Sequence, residues 1–276
     1  MSENPWTRLG AVPPEDLVPG RRIAHHAAQL ASAPAATWLA PEDDWSHENL
    51  GWESASEALV GRPVAGWRAG LRLRDLTLLV LGDEASALDL VGRSRDDASR
   101  WLVGQFEAAR GEPSGPLELP AHEIPDHPVA HGEPFPTTDP EALAELSRWF
   151  AIADMALRAL AVWEDRASPV RCWPHHFDLA TLVTLAGSGE DARTVGLGFS
   201  PGDGGIPEPY FYVTPWPYPD ADALPPLPAG SWNTEGWVGA VLRGAEVVAW
   251  PASERRARVE GFLDVASEAA RELIRE

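Results

Sequence analysis

The sequence predicts an α+β fold with a mainly antiparallel sheet packed against several helices. Helical and strand-like segments come in blocks along the 276 residues rather than in strict alternation, a pattern that favours this class. Three strand-like segments, "HHFDLATLVTLAG", "RTVGLGFSPGD" and "PYFYVTPWPYP", follow one another across turns rich in Gly, Asp and Pro, which predicts a meander over residues 175–216. No convincing linker interrupts the chain, so residues 1–276 are predicted to form a single domain.

The N-terminal half is predicted to contain helices and strands between irregular segments. Residues 1–20 form a Pro-punctuated lead, and "GRRIAHHAAQLASA" then carries apolar residues at helical spacing. The stretch "DDWSHENLGWESASEALVGRPVAG" is interpreted as loop, short helix and loop, and "WRAGLRLRDLTLLVLGD" as a strand or strand pair. "SRDDASRWLVGQFEAAR" is predicted to be an amphipathic helix that Gly111 ends, and the Pro-rich residues 111–138 are predicted to be irregular.

The C-terminal half starts with a long helix near residues 139–164, in which Asp139 caps the first turn and Pro140 takes the first helical position. The predicted meander follows, and "EGWVGAVLRGAEVVAW" is interpreted as a further strand or hairpin. A second long helix is predicted near residues 253–275, with Ser253 as its cap and an apolar stripe facing inward.

Composition excludes several classes of function. The chain has 42 acidic and 22 basic residues, a formal net charge of -20, which disfavours binding to nucleic acids and to anionic membranes. All 22 basic residues are arginines, so the sequence excludes a lysine Schiff base, as in pyridoxal-phosphate enzymes, and the lysine of a P-loop nucleotide site. The absence of G-x-G-x-x-G after a strand excludes a Rossmann dinucleotide site.

The sequence also predicts where the protein works. No run approaches the roughly 18 to 20 apolar residues of a membrane span, and "MSENPWTRLG" lacks the features of a signal peptide. The single cysteine, Cys172, suits a reducing compartment and is expected to be a small, buried, apolar side chain. We therefore expect a cytoplasmic protein whose partner is a small molecule, with the oligomeric state left open.

Titratable residues are concentrated in "RCWPHHFDLATLVTL", where a strand is predicted to begin. Side chains alternate along a strand, so His176 and Asp178 are expected on one face and His175 on the other. In a meander, this end of the first strand lies beside the turn that joins the second strand to the third. The predicted neighbours at this end of the sheet are Ser200, Asp203, Glu208 and Tyr210.

This constellation supports acid–base chemistry or metal binding. A carboxylate beside an imidazole fixes its tautomer and raises its basicity, as in a general base, and the same pair is typical of a structural histidine. The candidate catalytic residues are His175, His176, Asp178 and Glu208. In the metal alternative, one or both of His175 and His176 bind the ion together with Asp178 or Glu208, a set suited to a divalent transition metal such as zinc, iron or manganese.

Aromatic and polar side chains suggest the walls of a pocket. His47 and Asn49 lie in "SHENLGW", framed by tryptophans, and polar groups between indoles are typical of ligand sites. The predicted ligand-binding residues are His47, Asn49, Trp52, Trp173, Tyr210 and Tyr212. Most of the 13 tryptophans are expected to fill the core instead.

The remaining histidines are expected to have no part in chemistry. His25 and His26 are neighbours on a predicted helix, where adjacent side chains diverge by about 100°, so they are interpreted as solvated or capping residues. His122, His127 and His131 are interpreted as surface-loop or capping residues, because their spacing matches no metal motif.

Two stretches, "SPVRCWPHHFDLA" and "GFSPGDGGIPEPYFYVTPWPYP", resemble the shared core of a family of uncharacterised bacterial proteins, a domain of unknown function. The likeness consists of SPV…FDLA and GFxPG…PEPxFY, found here at residues 168–170, 177–179, 198–202 and 207–212. It implies no known activity. It implies that Asp178, Glu208 and Tyr212 belong to a shared scaffold or site, and that the histidines, where the family carries Trp-Gly and a small residue, are particular to a subgroup.

The sequence thus predicts a small-molecule enzyme, with hydrolytic and isomerising reactions both open. Its His/Asp/Glu site is expected in an aromatic-lined pocket at one end of the sheet, with acid–base or metal-assisted catalysis. The alternative is a non-catalytic module that binds a small ligand or a protein and in which the histidines are structural.

Overall fold

A computed structural model describes residues 4–111, 115–120, 122–162 and 164–275. The α-helices in this part of the chain are α1 Pro5–Arg8, α2 Val18–Trp38, α3 Arg95–Arg110, α4 Pro140–Ala161, α5 Gly244–Ala249 and α6 Arg255–Leu273. The strands are β1 Leu50–Glu53, β2 Ala58–Gly61, β3 Arg68–Arg72, β4 Thr77–Leu81, β5 Ser86–Asp89, β6 Arg171–Trp173, β7 Asp178–Ala186, β8 Arg193–Ser200, β9 Tyr210–Trp216, β10 Ser231–Asn233 and β11 Gly239–Arg243. The predicted α+β class is confirmed.

The chain divides into two compact units. The N-terminal unit comprises residues 16–147 and 171–177, and the C-terminal unit comprises residues 1–15, 148–170 and 178–276. The prediction of a single domain stays a prediction.

In the C-terminal unit, β7, β8 and β9 form the predicted antiparallel meander, and β11 and β10 extend it beyond β9. Leu179 pairs with Phe199, and Ser200 pairs with Tyr210. The helix α6 packs across β8, β9 and β11. Aromatic rings fill the core of this unit, with Trp149 stacked at 5.9 Å on Phe199.

The meander begins later than predicted. The first strand starts at Asp178, whereas residues 174–177 form a turn after β6, in which the N–H groups of His176 and Phe177 both donate to the carbonyl of Trp173. Phe177 has a left-handed backbone, with φ of 57°. Because His175 and His176 precede the strand, the predicted alternation of their side chains with Asp178 does not apply.

In the N-terminal unit, an antiparallel sheet has the order β6-β1-β2-β3-β4-β5. The helix α2 packs on β2, β3 and β4, and α3 packs on α2 and β4. The contact between α2 and β2 is close: a Cβ atom added to Gly61 would lie 3.0 Å from the carbonyl oxygen of Ala31. As a result, α2 is buried over much of its surface, polar residues included.

Most predicted helices are confirmed. The structure has α2, the long α4 and the amphipathic α3, which begins with a capping box at Ser94 and ends at Gly111 in a left-handed conformation. Asp139 accepts a hydrogen bond from the N–H of Glu141 at 2.9 Å, as expected of a cap. The cap predicted at Ser253 is wrong, because Glu254 takes the N-cap position of α6 and no side chain accepts there.

The short helix predicted within residues 43–66 is found only as the 3-10 turn Ser46–Glu48. Residues 50–61 form the β1–β2 hairpin, in which Trp52 pairs with Leu59. Each strand has only four residues, too few for the alternation of apolar and polar side chains to show. The predicted strand pair is found as β3 and β4. In the last predicted segment, residues 235–250, the single-strand alternative is found as β11, and residues 244–249 form α5 rather than a second strand.

The predicted irregular segments are partly helical. Residues 5–8 and 14–17 form short helices, and α2 already begins at Val18. Between residues 115 and 138, apart from the undescribed residue 121, the chain is largely irregular, with one 3-10 turn at Pro128–His131. In the described part of the chain, no helix combines the length and the apolar character that a membrane crossing requires.

Candidate metal centre

Three side chains of the N-terminal unit, Glu48, His122 and His175, each place one metal-ligating atom within 4.8 Å of the other two. The Nε2–H group of His122 donates to Oε1 of Glu48 at 2.6 Å. Glu48 is only 3% exposed, and both histidines are half-buried. Two imidazoles and a buried carboxylate therefore converge on one point.

The three residues come from three separate connecting segments. Glu48 ends the 3-10 turn Ser46–Glu48 just before β1. His122 lies in the irregular segment before residue 128, and His175 lies in the turn after β6. Loops carry such groups when a rigid element holds them in place.

The rigid element on one side is a single face of α2. His25, Gln29 and Ser32 are spaced i, i+4 and i+7, so their side chains point the same way. His25 Nε2–H and Gln29 Nε2 both donate to the carbonyl of Pro174, at 2.8 and 2.7 Å, which fixes the turn that carries His175. Ser32 Oγ donates to the backbone carbonyl of Glu48 at 2.6 Å.

A neighbouring face of α2 holds the segment around His122. His26 Nε2–H donates to the carbonyl of Pro125 at 2.9 Å. Thr37 Oγ1 donates to the carbonyl of Glu118 and accepts from its N–H, both at 3.1 Å. All three ligand-bearing segments are thus bound to one helix through their backbones.

The electrostatic setting keeps His175 neutral. Burial, followed by the nearby His176 and His122, lowers the pKa of His175 from 6.5 to about 4. Its Nδ1 atom is buried and finds no hydrogen-bond partner among the described residues. A neutral imidazole with a free nitrogen is the form that binds metals.

The turn that carries His175 is supported by a second buried histidine. His25 stacks on Phe177 with ring centroids 5.1 Å apart and planes inclined by 9°. Burial is the main cause that lowers the pKa of His25 from 6.5 to about 4. His25 is therefore neutral and donates its one N–H to Pro174, so its function here is structural.

Two indoles border the group. The ring of Trp45 lies 6.0 Å from that of His122 in an edge-on arrangement, and the ring of Trp173 lies 6.2 Å from that of His175. Trp45 is 57% exposed and has a left-handed backbone, with φ of 59°. Such a conformation is costly for a residue with a Cβ atom and is often found at functional sites.

The group fits a metal ion after a small adjustment. Ligand atoms in a tetrahedral zinc site lie about 3.4 Å apart, because the bonds measure about 2.0–2.1 Å. The pair His122–Glu48 is closer than this, since a proton now bridges the two atoms. A spread of up to 4.8 Å across the group closes to the tetrahedral value through movements on the order of 1 Å.

The structure brings together only part of the predicted site. Of the three predicted metal ligands, His175 belongs to the group, and the other two members of the group are His122 and Glu48. His176 is exposed, and its ring lies 4.2 Å from that of His175. It lines the group without being one of its members.

The predicted neighbours of Asp178 are found in the C-terminal unit. Tyr212 donates its hydroxyl to Asp178 Oδ2, and Tyr210 donates its hydroxyl to Asp203 Oδ2, both at 2.5 Å. Burial, together with these carboxylates, raises the pKa of both tyrosines well above 10. The phenols therefore remain protonated donors, and their predicted roles in catalysis or ligand binding stay predictions.

Glu208 is engaged with the backbone of a helix. Its Oε2 accepts from the N–H of Ala245 at 2.7 Å in the first turn of α5, and its Oε1 accepts from Arg243 at 3.5 Å. A carboxylate in this position satisfies an unpaired N–H group and the helix dipole. The predicted role of Glu208 in catalysis or metal binding stays a prediction.

The predicted pocket residues near the group are buried. His47 accepts from the N–H of Glu42 at 3.1 Å and stacks on Trp45 at 6.3 Å. Asn49 is buried with its Oδ1 unsatisfied among the described residues, and Trp52 is also buried. Their predicted role in ligand binding stays a prediction.

The interpretation of the other histidines is partly wrong. His25 and His26 are buried rather than solvated, and each donates a hydrogen bond to a backbone carbonyl. His127 does cap a turn, since its Nδ1 accepts a hydrogen bond from the N–H of Val129. His131 is exposed. His122, by contrast, belongs to the candidate centre.

Sequence reasoning missed Glu48 and His122. Glu48 lies between His47 and Asn49, the two residues singled out in "SHENLGW", so the segment was identified without this member. His122 had no such signal, because its partners are distant in the chain. Cys172 is buried in β6, as expected.

Comparison of the chain with family models, with curated proteins and with solved structures finds no match. The resemblance to a bacterial family stays a prediction.

Proposed function

We propose that this protein binds one divalent transition-metal ion through Glu48, His122 and His175 and uses it in a reaction on a small molecule. The observation that carries the proposal is the convergence of two imidazoles and a buried carboxylate within 4.8 Å. This is the metal-assisted form of the enzyme that the sequence predicts, with Glu48 and His122 as ligands in place of Glu208 and His176.

The ligand set favours zinc or iron. Two histidines and one carboxylate bind zinc in metalloenzymes, and the same combination binds non-haem iron in sites with open positions. Three protein ligands leave at least one position for water or substrate, as catalytic rather than structural sites do.

The side chains have distinct functions in this proposal. The neutral His175 supplies a lone pair, and Glu48 supplies the negative charge that offsets part of the metal charge. A bound divalent metal supplies an activated water or a polarised carbonyl, which serves hydrolysis or isomerisation. The contacts of α2 with all three segments keep the ligands in position, which limits the entropy lost on binding.

Metal analysis of the purified protein tests this proposal. Protein stripped with a chelator is reloaded with Zn²⁺, Fe²⁺ or Mn²⁺, dialysed and analysed for metal content, and hydrolysis of a panel of esters and amides is measured with and without metal. We expect one ion per chain in the wild type, loss of that ion in His122→Ala, and metal-dependent turnover.

A matched control exists on the surface. His131 donates to Asp126 at 2.7 Å, a histidine–carboxylate pair that is exposed on both sides. His131→Ala should retain the ion. Loss of the ion in both variants, or in neither, would contradict the proposed site.

The second candidate is the non-catalytic module. The observation that favours it is that His122 and Glu48 already satisfy each other through a hydrogen bond at 2.6 Å. In that case the wild type binds no ion, and Glu48→Gln lowers only the free energy of unfolding.

A further inference from the structure

The surroundings of the candidate centre are aromatic on its exposed side. Trp45 keeps 57% of its surface open to solvent, and its ring lies 6.0 Å from that of His122, one of the proposed ligands. The ring of Trp173 lies 6.2 Å from that of His175. An indole that is exposed beside a metal site offers apolar surface that a bound ligand can cover.

The backbone of Trp45 supports the same conclusion. Its φ of 59° is a left-handed conformation that β-carbon residues rarely adopt, and the residue serves as the N-cap position of the Ser46–Glu48 turn. Glycine or asparagine would take this conformation at lower cost. The backbone of Trp45 is therefore locally strained at a position that carries an indole.

The charge around the centre indicates which chemical group of the ligand would bind the metal. A divalent ion with one carboxylate and two neutral imidazoles keeps a net charge of about +1, which attracts an anionic oxygen donor. Glu42, Asp43 and Asp44 directly precede Trp45 and are exposed, so they disfavour a second anionic group near the indole. The ring of the ligand is therefore expected to carry no negative charge.

We infer that the substrate of the centre is an aromatic small molecule, with a ring that carries no negative charge and packs on Trp45 and one oxygen-donor group that binds the metal. This inference rests on the proposed metal site. It goes further by assigning Trp45 as the residue that determines specificity for an aromatic substrate.

Two hydroxamates test the inference, because they share the metal-binding group and differ in the ring. Acetohydroxamate carries a methyl group and benzohydroxamate carries a phenyl ring. Their dissociation constants are measured by calorimetry on the zinc-loaded, full-length protein. We expect benzohydroxamate to bind about five- to tenfold more tightly, since one aromatic contact supplies that much.

Substitutions of Trp45 assign the preference to one side chain. Trp45→Asn suits the left-handed backbone and removes the ring, so the two hydroxamates should bind about equally. Trp45→Phe restores a ring and should restore most of the preference. Trp216→Ala is the control, because Trp216 is also half-exposed, at 47%, and belongs to the C-terminal unit.

The outcomes separate this inference from the proposed function. If zinc binds and the wild type does not distinguish the two hydroxamates, the substrate class is wrong and the metal site stands. The same holds if the preference survives in Trp45→Asn or disappears in Trp216→Ala. If no zinc binds to the wild type, the proposed function fails and the inference fails with it.

Discussion

The Nε2 atom of His122 lies 2.6 Å from Oε1 of Glu48, although 74 residues separate them in the chain. Ser32 binds the backbone of Glu48, and His26 binds the backbone of Pro125, three residues after His122. Both bonds come from α2, so the helix positions the pair. The contact is therefore a product of tertiary structure rather than of local sequence.

Replacing Glu48 by Gln should remove the anionic ligand with little change in shape. We expect the affinity for Zn²⁺ to fall at least about 100-fold, because loss of an outer-shell partner alone costs 10- to 100-fold. Competition with a chromophoric chelator measures the change. Asp126→Asn, which alters the exposed pair with His131, should leave the affinity unchanged. A Glu48→Gln protein that binds zinc as the wild type does would remove Glu48 from the centre.

Gln29 is expected to act on metal binding without contacting the metal. Gln29→Met keeps the volume and removes one of the two donors to Pro174, so His175 is held less firmly. We expect a zinc affinity about tenfold lower, the smaller end of effects on such supporting groups.

The control for Gln29 is a hydrogen bond of the same kind in the C-terminal unit. Thr214 Oγ1 donates to the carbonyl of Val238 at 2.9 Å, and Thr214→Val removes it. Both variants should lose stability in urea titrations, and only Gln29→Met should lose zinc affinity. Equal zinc affinities in the two variants would refute a positioning role.

The stability of the protein should fall at acid pH because of His25. Its pKa is about 4 in the folded protein and 6.5 ordinarily, so the unfolded chain binds more protons between these values. The stabilisation is complete above pH 6.5 and is lost as the pH falls towards 4. The difference corresponds to about 3 kcal/mol.

His25→Gln isolates this contribution, because glutamine keeps an N–H donor and does not titrate. Urea unfolding at pH 7 and pH 4.5 should show a loss of stability that is about 2–3 kcal/mol smaller in the variant than in the wild type. The same loss in both proteins would show that another group carries the pH dependence.

Glu208 is expected to matter for stability alone. Glu208→Ala removes the acceptor for Ala245 N–H and should lower the free energy of unfolding by about 1 kcal/mol, the usual cost of losing a helix cap. Zinc affinity should stay at the wild-type value. If the variant instead folds normally and loses the ion, Glu208 is a ligand, as the sequence predicted.

The fold was predictable where the periodicity is long. The helices α2, α3 and α4 and the strands of the meander each extend over enough residues for apolar spacing to show. The β1–β2 hairpin has strands of four residues, so its pattern could not be distinguished from that of a short helix.

The site was predictable only in part, for a physical reason. "WPHHFDL" was recognisable as a dense titratable segment, and His175 is indeed in the group. The turn at residues 174–177, however, removes His176 from the strand on which its pairing with Asp178 depended. Nothing local pointed to His122, because α2 sets its position through Pro125 and Glu118.

The most direct test of the proposed centre is zinc X-ray absorption of the one-to-one complex. We expect nitrogen and oxygen ligands at about 2.0–2.1 Å and scattering from two imidazole rings. His122→Ala, which is expected to lose the ion, should show no zinc spectrum with imidazole scattering, and His131→Ala should show both imidazoles. A spectrum without imidazole scattering, or one that His122→Ala does not change, would contradict coordination by Glu48, His122 and His175.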